Sequence, residues 1–530
     1  MSTLVSKLSV FWALFVCQFR TLFSTPDREP ADFPFATSDV AQWYRLRCDP
    51  QAASIDDATW KDLLLDRYCA RLSNELSIFG QHVLYQRLRA GRGDTGSVRQ
   101  LMQDSARLEQ LHRTCKSLRH ADKEIATLLF EDPAPDIPWW VGKTWLLPLL
   151  MAASLAAVIW SPLALLATGL VCYILITVQM RYYERVEQWQ RSMLSLQMLL
   201  RVVSLLNGDD AAQAGKINRG LTRSPFAELL PGARGYQDWF LLENVKHYFK
   251  GAGLVHANLE FVRACFVRIA NLEADVALAR HLFKVQRFCW AAHDDVSTMS
   301  LEQVVHPLLP DAQPLSLELK ERGAFVSGQN GIGKSTLLRT VGLNLVVARA
   351  FGFCYADNAR VPNLPVYASM QTEDSLLGGE SLYMAELRRA KELLAASEGP
   401  HPGVYIVDEI FKGTNHLESV SAAASVLDVL AEKGLVIVSS HNLVLAALLA
   451  HRLEPLCIAR VENAGNAIRL SRGVLAHTNG IALLSQGAFG SKVEENARKV
   501  FNWLSDYLAY PDDCSSVLAG RSQVPTATLV

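Results

Sequence analysis

Residues 324–336 read AFVSGQNGIGKST: a short apolar run, a glycine-rich turn, then a lysine followed by two hydroxyl residues. From Gly328 to Ser335 the spacing is G-x-x-x-x-G-K-S. Gly328, Gly331 and Gly333 carry no Cβ, so backbone N–H groups can wrap around phosphate oxygens, with Lys334 reaching the terminal phosphates and Ser335 ligating Mg²⁺. Asn330 and Thr336 complete the candidate nucleotide contacts of the loop. The apolar run before it predicts a strand and LLRTVGLNLVVARA (337–350) predicts a helix after it. Strand, phosphate loop and helix in that order define an α/β unit.

Three further stretches fit around this loop. VYIVDEIFKGTN (404–415) opens with a continuous apolar run, as in a parallel strand buried on both faces. We expect it beside the 324–328 strand, with its C-terminal end toward the nucleotide. Asp408 is then the candidate to hold Mg²⁺ through water, and Glu409 the candidate to polarise the attacking water. VIVSSHN (436–442) repeats the buried-strand pattern and ends in His441, positioned to contact a γ-phosphate. In DSLLGGESLYMAELRRAKELL (374–394), Leu387, Ala390 and Leu394 mark a helix face, and Ser381 is the expected N-cap. With Gly378 and Gly379 beside it, that helix start suits an anion.

The remaining chain has a different texture. At 530 residues it has room for about three domains of ~150 residues. A 50% hydrophobic and 20% charged composition requires sizeable cores, and a net charge of −1 gives no global attraction to nucleic acid or anionic membrane. The ten cysteines are scattered without a C-x-x-C pair, which fits a reducing compartment and neither a disulfide framework nor a zinc site. LSVFWALFVCQF (8–19) is too short to span a bilayer and reads either as an interfacial anchor or as a docked helix. Between Ser54 and Leu129, Leu63, Leu64, Tyr68, Leu72 and Leu76 recur at helical spacing, as do Leu84, Leu88, Leu101 and Leu108.

EDPAPDIP (131–138) breaks that pattern. No charged residue then occurs between Lys143 and Arg181. As one helix the run would be ~55 Å long against a hydrocarbon core of ~30 Å, so the turn residues Trp160-Ser161-Pro162 are read as its midpoint. The expectation is a membrane hairpin of helices 144–160 and 163–180, both ends on the cytoplasmic side. Trp139, Trp140, Trp145, Tyr182 and Tyr183 would form its interfacial belt. Helical periodicity resumes over 181–206 and from about 238 to 292, and from Val304 short apolar runs and glycine turns signal the α/β part.

A G-x-N-G-x-G-K-S-T loop, a Gly-Gly-x-Ser helix start, an acid pair and a late histidine together resemble the ABC-type ATPase superfamily. Within it, Asp408-Glu409-Ile-Phe-Lys-Gly-Thr resembles the DEIGRGTS run of the MutS DNA mismatch repair family. FGFCYADNA (351–359) is similar to that family's FVPA segment, VVHPLL (304–309) to its His-Pro element, and 470–500 to its closing helical segment. LSIFGQHVLYQRLR (76–89) resembles the start of its helical core. The resemblance implies ATP and Mg²⁺ as cofactors, ATP hydrolysis, and a homodimer whose ATP sites are shared, Ser381 closing the partner's site. It also implies DNA binding, with mismatched or branched DNA as candidates. About fifty residues precede the core, too few for the family's mismatch-reading domain, and the apolar run lies where the family carries its lever and clamp.

The expected architecture is α + α/β: a helical core split by a transmembrane hairpin, followed by an ABC-type P-loop ATPase domain. Its parts are an N-terminal segment (1–53), a first core part (54–135), the hairpin (139–183, apolar over 144–180) and a second core part (184–303). The ATPase domain (304–505) and a tail (506–530) follow. The expected function is an ATPase anchored in the inner (cytoplasmic) membrane, its ATPase domain facing the cytoplasm, that switches conformation and acts on DNA. The alternative is a membrane-tethered switch with a protein or lipid partner and no DNA.

Overall fold

Every residue of Gly323–Gly328 is buried, and so is every residue of Leu435–Ser439. Strands covered on both faces have no polar side, which is why both sequences are continuous apolar runs. They are neighbours at the centre of a six-stranded sheet in the computed structural model. The structure describes residues 35–48, 54–91, 95–133, 135–206, 208–223, 233–294, 298–370, 382–461, 467–475, 480, 491–507, 514 and 517–518. The segment 8–19 and the residues Gly378, Gly379 and Ser381 lie outside it. Helices and sheets occur together, as an α + α/β chain requires.

The chain forms two compact units. One comprises the residues up to Arg47 with Ser73–Tyr85 and Gln100–Ala279; the other comprises Cys48–Leu72, Gln86–Arg99 and the residues from Arg280 onward.

The first unit is helical. Its buried Glu273 accepts hydrogen bonds from the amides of Ser77 and Gly80, both at 2.9 Å, so a carboxylate satisfies otherwise orphaned donors at the start of helix Ile78–Ala90. The uncharged run forms α1 (Leu146–Ala157), a turn at 158–163, and α2 (Ala164–Leu205). α1 packs along α2, and Ser154 and Thr168 join their hydroxyls at 2.8 Å. Of the described helices, one, α2, is long and apolar enough to cross a membrane; α1 is a shorter apolar helix.

Two expectations change here. The second helix does not stop near residue 180 but runs unbroken to Leu205, because residues 181–205 contain neither glycine nor proline to end it. Tyr182 is not on an exterior belt: it is buried against Phe249, with ring centroids 5.4 Å apart, and Trp140 leans on it at 6.0 Å. The covering residues come from α4 (Glu243–Ala257) and from Leu242, which joins it to the preceding helix α3 (Ala233–Phe240). The side chains of Leu242, Val245 and Phe249 meet Val171, Leu175, Tyr182 and Val186 in one apolar cluster.

The second unit contains all the described strands. In chain order they are β1 (Cys289–Trp290), β2 (Ala292–Asp294), β3 (Met299–Val304), β4 (Leu315–Leu319), β5 (Gly323–Gly328) and β6 (Phe353–Cys354). β7 (Asn358–Pro362), β8 (Val366–Ser369), β9 (Val404–Asp408), β10 (Leu435–Ser439), β11 (Leu453–Arg460) and β12 (Ile468–Arg472) follow. The large sheet has the order β12-β11-β5-β10-β9-β8, parallel except where β12 pairs antiparallel with β11. β9 therefore does not lie beside β5, as expected from sequence; β10 stands between them, pairing Ile437–Ser439 with Ala324–Val326 and all of its length with β9. Both strands are apolar on both faces, so composition did not distinguish the central one.

Three helices complete the layers: α5 (Lys334–Phe351), α6 (Leu382–Ser397) and α7 (His416–Lys433). One core layer joins Phe325, Tyr405, Val407, Phe411, Leu427 and Val438. α5 packs closely at Gly342, where a Cβ would come within 2.7 Å of Ile406 and 2.6 Å of Leu63. Leu63 belongs to the segment 54–72, whose helix Asp57–Asp62 also covers the sheet edge. Thr59 Oγ1 and Asp62 Oδ2 accept from the amides of Ala368 and Met370, both at 2.8 Å. Side chains thus occupy donors that an open edge strand would leave for another chain.

Candidate functional site

The parallel strands β5, β10 and β9 end side by side, and each delivers one part of the site from its C-terminal end. After β5 the chain turns through Gly331 (φ 76°) and Gly333 (φ 106°), left-handed conformations that favour glycine. A Cβ at Gly331 would meet nothing within 4 Å, so the loop is open above its backbone. α5 begins directly at Lys334, and no side chain caps its first turn. The N-cap residue Gly333 contributes no side-chain acceptor, and the first amides of this 18-residue helix carry the positive end of its dipole. Lys334 curls back over the loop, donating from Nζ to the carbonyls of Gly328 at 3.0 Å and Gln329 at 3.3 Å. Burial lowers its pKa, while the charges of Glu409 and Asp408 work against that shift. Asn330 is exposed on the loop, and in the first turn of α5 Ser335 is half-buried and Thr336 exposed.

Asp408 closes β9 and is held by the hydroxyl of Ser439, the last residue of β10. The chain then leaves the sheet abruptly. Glu409 and Phe411 both adopt positive φ, 54° and 58°. The amide of Glu409 donates to the Ser439 carbonyl at 2.9 Å, and Phe411 is buried beside Tyr383. The Glu409 carboxylate meets a cation or ring donor at each oxygen: His441 Nε2 lies 2.6 Å from Oε1 and Lys412 Nζ 2.7 Å from Oε2. The hydrogen bond from His441, then Lys412, holds the Glu409 pKa down to about 2, against desolvation, which raises it.

The turn that follows is supported from α6. Buried Glu386 accepts from the Lys412 amide at 3.0 Å and the Gly413 amide at 3.2 Å. Gly413 lies so close to this helix that a Cβ would fall 2.7 Å from the Tyr383 nitrogen. Asn415 then caps α7 by accepting from the Glu418 amide at 3.0 Å.

Lys334, Asp408, Glu409 and His441, four of the expected residues, thus assemble at adjacent strand ends, with the three glycines on the loop and Ser335 in the first turn of α5. Ser381 lies outside the described residues, immediately before α6. Sequence reasoning missed Ser439, Lys412 and Glu386. Ser439 and Lys412 stand within stretches already singled out, one at a strand end and one beside the acid pair. Nothing in the spacing of Glu386 marks it, because its partners are backbone amides more than twenty residues away.

The donor set suits a nucleotide with a magnesium ion. The loop offers glycine backbone, a helix N-terminus and an ammonium group to phosphates, and no carboxylate of its own. Ser335 and Asp408 offer two oxygens, which fits a cation that takes most of its ligands from water and phosphate. Among the described residues no group of three or more His, Cys, Asp or Glu could hold a metal alone.

Residues 324–505 match the family model described as MutS domain V. The DNA mismatch repair protein MutS of Thermus thermophilus is 27% identical over 194 residues, covering 36% of this chain and 24% of that protein. The Endonuclease MutS2 of Thermus thermophilus is 34% identical over 138 residues, covering 25% and 18%. The DNA mismatch repair protein msh3 of Aspergillus fumigatus is 28% identical over 183 residues, covering 33% and 16%. The chain thus spans about a quarter or less of the length of these relatives, and its C-terminal region is similar to the MutS family.

Proposed function

We propose that this chain is a MutS-type ATPase anchored in a membrane, which converts ATP binding and hydrolysis into a conformational switch acting on DNA. The observation that carries the ATPase reading is the meeting of Lys334, Asp408, Glu409 and His441 at neighbouring strand ends, within a region matched to MutS domain V.

In this reading the loop Gly328–Ser335 binds the phosphates through backbone amides and Lys334. Lys334 would exchange its two carbonyl acceptors for phosphate oxygens, a stronger partner for a buried ammonium. Ser335 and Asp408 would hold Mg²⁺, with Ser439 orienting the Asp408 carboxylate. ATP supplies the transferable γ-phosphoryl group and Mg²⁺ neutralises its charge. Glu409 would take a proton from the attacking water, but a carboxylate held at about pKa 2 by two partners is a weak base. The arrangement described is therefore a resting one, and productive geometry requires His441 or Lys412 to release an oxygen. His441, half-exposed just beyond the end of β10, would turn toward a γ-phosphate on giving up its bond to Glu409.

The anchoring reading rests on α1 and α2. Trp139, Trp145, Ile159, Trp160, Leu163 and Leu166 are all more than half exposed, which water does not favour on this scale. A helix, a turn and a returning helix would leave both ends of the run on the side that holds ATP, the cytoplasmic face of the inner membrane.

The test is ATP turnover by the full chain in nanodiscs. Glu409→Gln should keep nucleotide binding and lose about 10²-fold or more in turnover; unchanged turnover would refute the assigned base. DNA binding by the same preparation should be modest and weaken steeply with salt, since backbone contacts must dominate at a net charge of −1. No binding at low salt would give the switch a protein or lipid partner instead.

A further inference from the structure

The base of the apolar helix pair carries a surface that anchoring through α1 and α2 leaves unused. α3 exposes Tyr236 (51%) and Phe240 (38%), their rings stacked 6.2 Å apart at an interplanar angle of 10°. Leu241, the next residue, is exposed as well. Three large apolar side chains on one short stretch are an unusual surface to leave in water. The acid on this helix does not break the patch: Asp238 is turned into an ion pair, with Arg223 Nη1 3.1 Å from both of its oxygens.

The height of α3 along the apolar helices is fixed by hydrogen bonds. Gln179 donates to the Asp238 carbonyl, and Gln179 and Asn244 exchange amide bonds at 3.2 and 2.9 Å. Gln179 stands two residues before Arg181, the first charge after the run, and Lys143 is the last charge before it. Trp139, 80% exposed with Lys143 5.4 Å from its ring centre, and exposed Trp145 flank the opposite entry. α3 therefore lies where an uncharged run meets charge, the level at which aromatic rings partition into headgroups.

We propose that α3 is an interfacial helix: Tyr236, Phe240 and Leu241 lie in the headgroup region of the leaflet that α1 and α2 enter, as a third attachment to the bilayer. This rests on the anchoring reading and extends it. Two helices alone leave rotation about their axis and tilt free, whereas a third contact to one side sets both. The aromatic and uncharged character of the patch suits a zwitterionic or mixed interface without a polybasic requirement.

Photo-cross-linking separates this inference from the one beneath it. The full chain, carrying p-benzoyl-phenylalanine singly at position 236, 240, 165 or 113, is placed in nanodiscs of phosphatidylcholine and phosphatidylglycerol and illuminated. Leu165 is an exposed residue of α2, and Arg113 is an exposed residue with no apolar surroundings proposed for it. Lipid adducts are expected at 165, 236 and 240, and none at 113. Adducts at 165 with none at 236 and 240 would overturn the interfacial helix and leave the anchor standing. Cross-links from 236 or 240 to a second copy of the chain would overturn it too, making this face a contact between protomers. Absence of adducts at 165 would overturn both readings. Replacing one aromatic ring by another keeps α3 folded, and the two positions serve as independent probes.

Discussion

Glu409 and Phe411 hold left-handed backbone conformations that cost an ordinary residue of order 1 kcal/mol each. Burial of Phe411, the Glu409 amide bond to Ser439, and the two amides that Glu386 accepts are what maintain them. Replacing Glu386 by Ala should therefore misplace the acid while leaving the phosphate loop intact. Turnover should fall on the order of 10²-fold with ATP affinity little changed. Hydrogen exchange in peptide 409–414 should accelerate whether or not turnover is followed, and unchanged exchange there would contradict the support assigned to Glu386. The pH dependence follows from Glu409 itself. Its pKa lies below the ordinary 4.5, so its pairing stabilises the folded site fully above that value and is lost as pH falls toward about 2. Lys412→Ala removes one of the partners that lower it, and the acidic limb of the turnover profile should move to higher pH. An acidic limb that stays in place would mean that another group titrates there.

At the scale of elements, α5 shows how close packing ties a loop to a sheet. The approach of Gly342 to Ile406 and Leu63 leaves no room for a methyl group, and neither neighbour is the end of a long flexible chain. Gly342→Ala should destabilise the protein by about 1–3 kcal/mol through overpacking, despite the higher helix propensity of alanine. A thermal or denaturant transition measures this; a gain in stability would show that Leu63 moves aside freely. Much of this layer was legible in the residues. The glycines and Lys334 specify a loop between strand and helix because few other sequences satisfy that backbone, and VYIV and VIVS announce strands buried on both faces. Strand order was not legible: two fully apolar strands carry the same pattern, and pairing is settled by which one the crossover helices bring to the centre. Nor does helical spacing say what a helix packs on. Leu63 and Tyr68 have the period of an amphipathic helix, yet they join the unit of the large sheet, and Tyr182 is turned inward by Phe249. Glu386 was hidden for a third reason, since a side chain that binds backbone amides across the fold leaves no local trace.

For the whole molecule, the open question is how one chain closes a nucleotide site from both sides. Lys334, Asp408, Glu409 and His441 all approach from strand ends of one sheet, so in the proposed reading they would cover one side of a bound nucleotide. That reading would require a second anion-binding group opposite them, and the Gly-Gly-Glu-Ser segment 378–381 is the candidate that sequence offers. In the MutS resemblance that segment serves the partner's site, and we propose the same here: two chains would close two shared sites when ATP binds. Glu386 would then have a second use. It lies on the helix that follows Ser381 and supports the turn that follows Glu409, so contact with the partner's nucleotide would reach the chain's own acid through α6. A mixing experiment decides between shared and self-contained sites. A Lys334→Ala chain lacks the phosphate lysine, and a Ser381→Arg chain places a bulky cation where the closing hydroxyl is expected. Each homodimer then has two broken sites. A mixed dimer concentrates both lesions in one site, that formed by the Lys334→Ala loop and the Ser381→Arg segment, and leaves the other complete. Turnover of a mixture should rise well above that of either variant alone. If it stays at the level of the single variants although mixed dimers form, each chain completes its own site and the relay through Glu386 ends within one protomer.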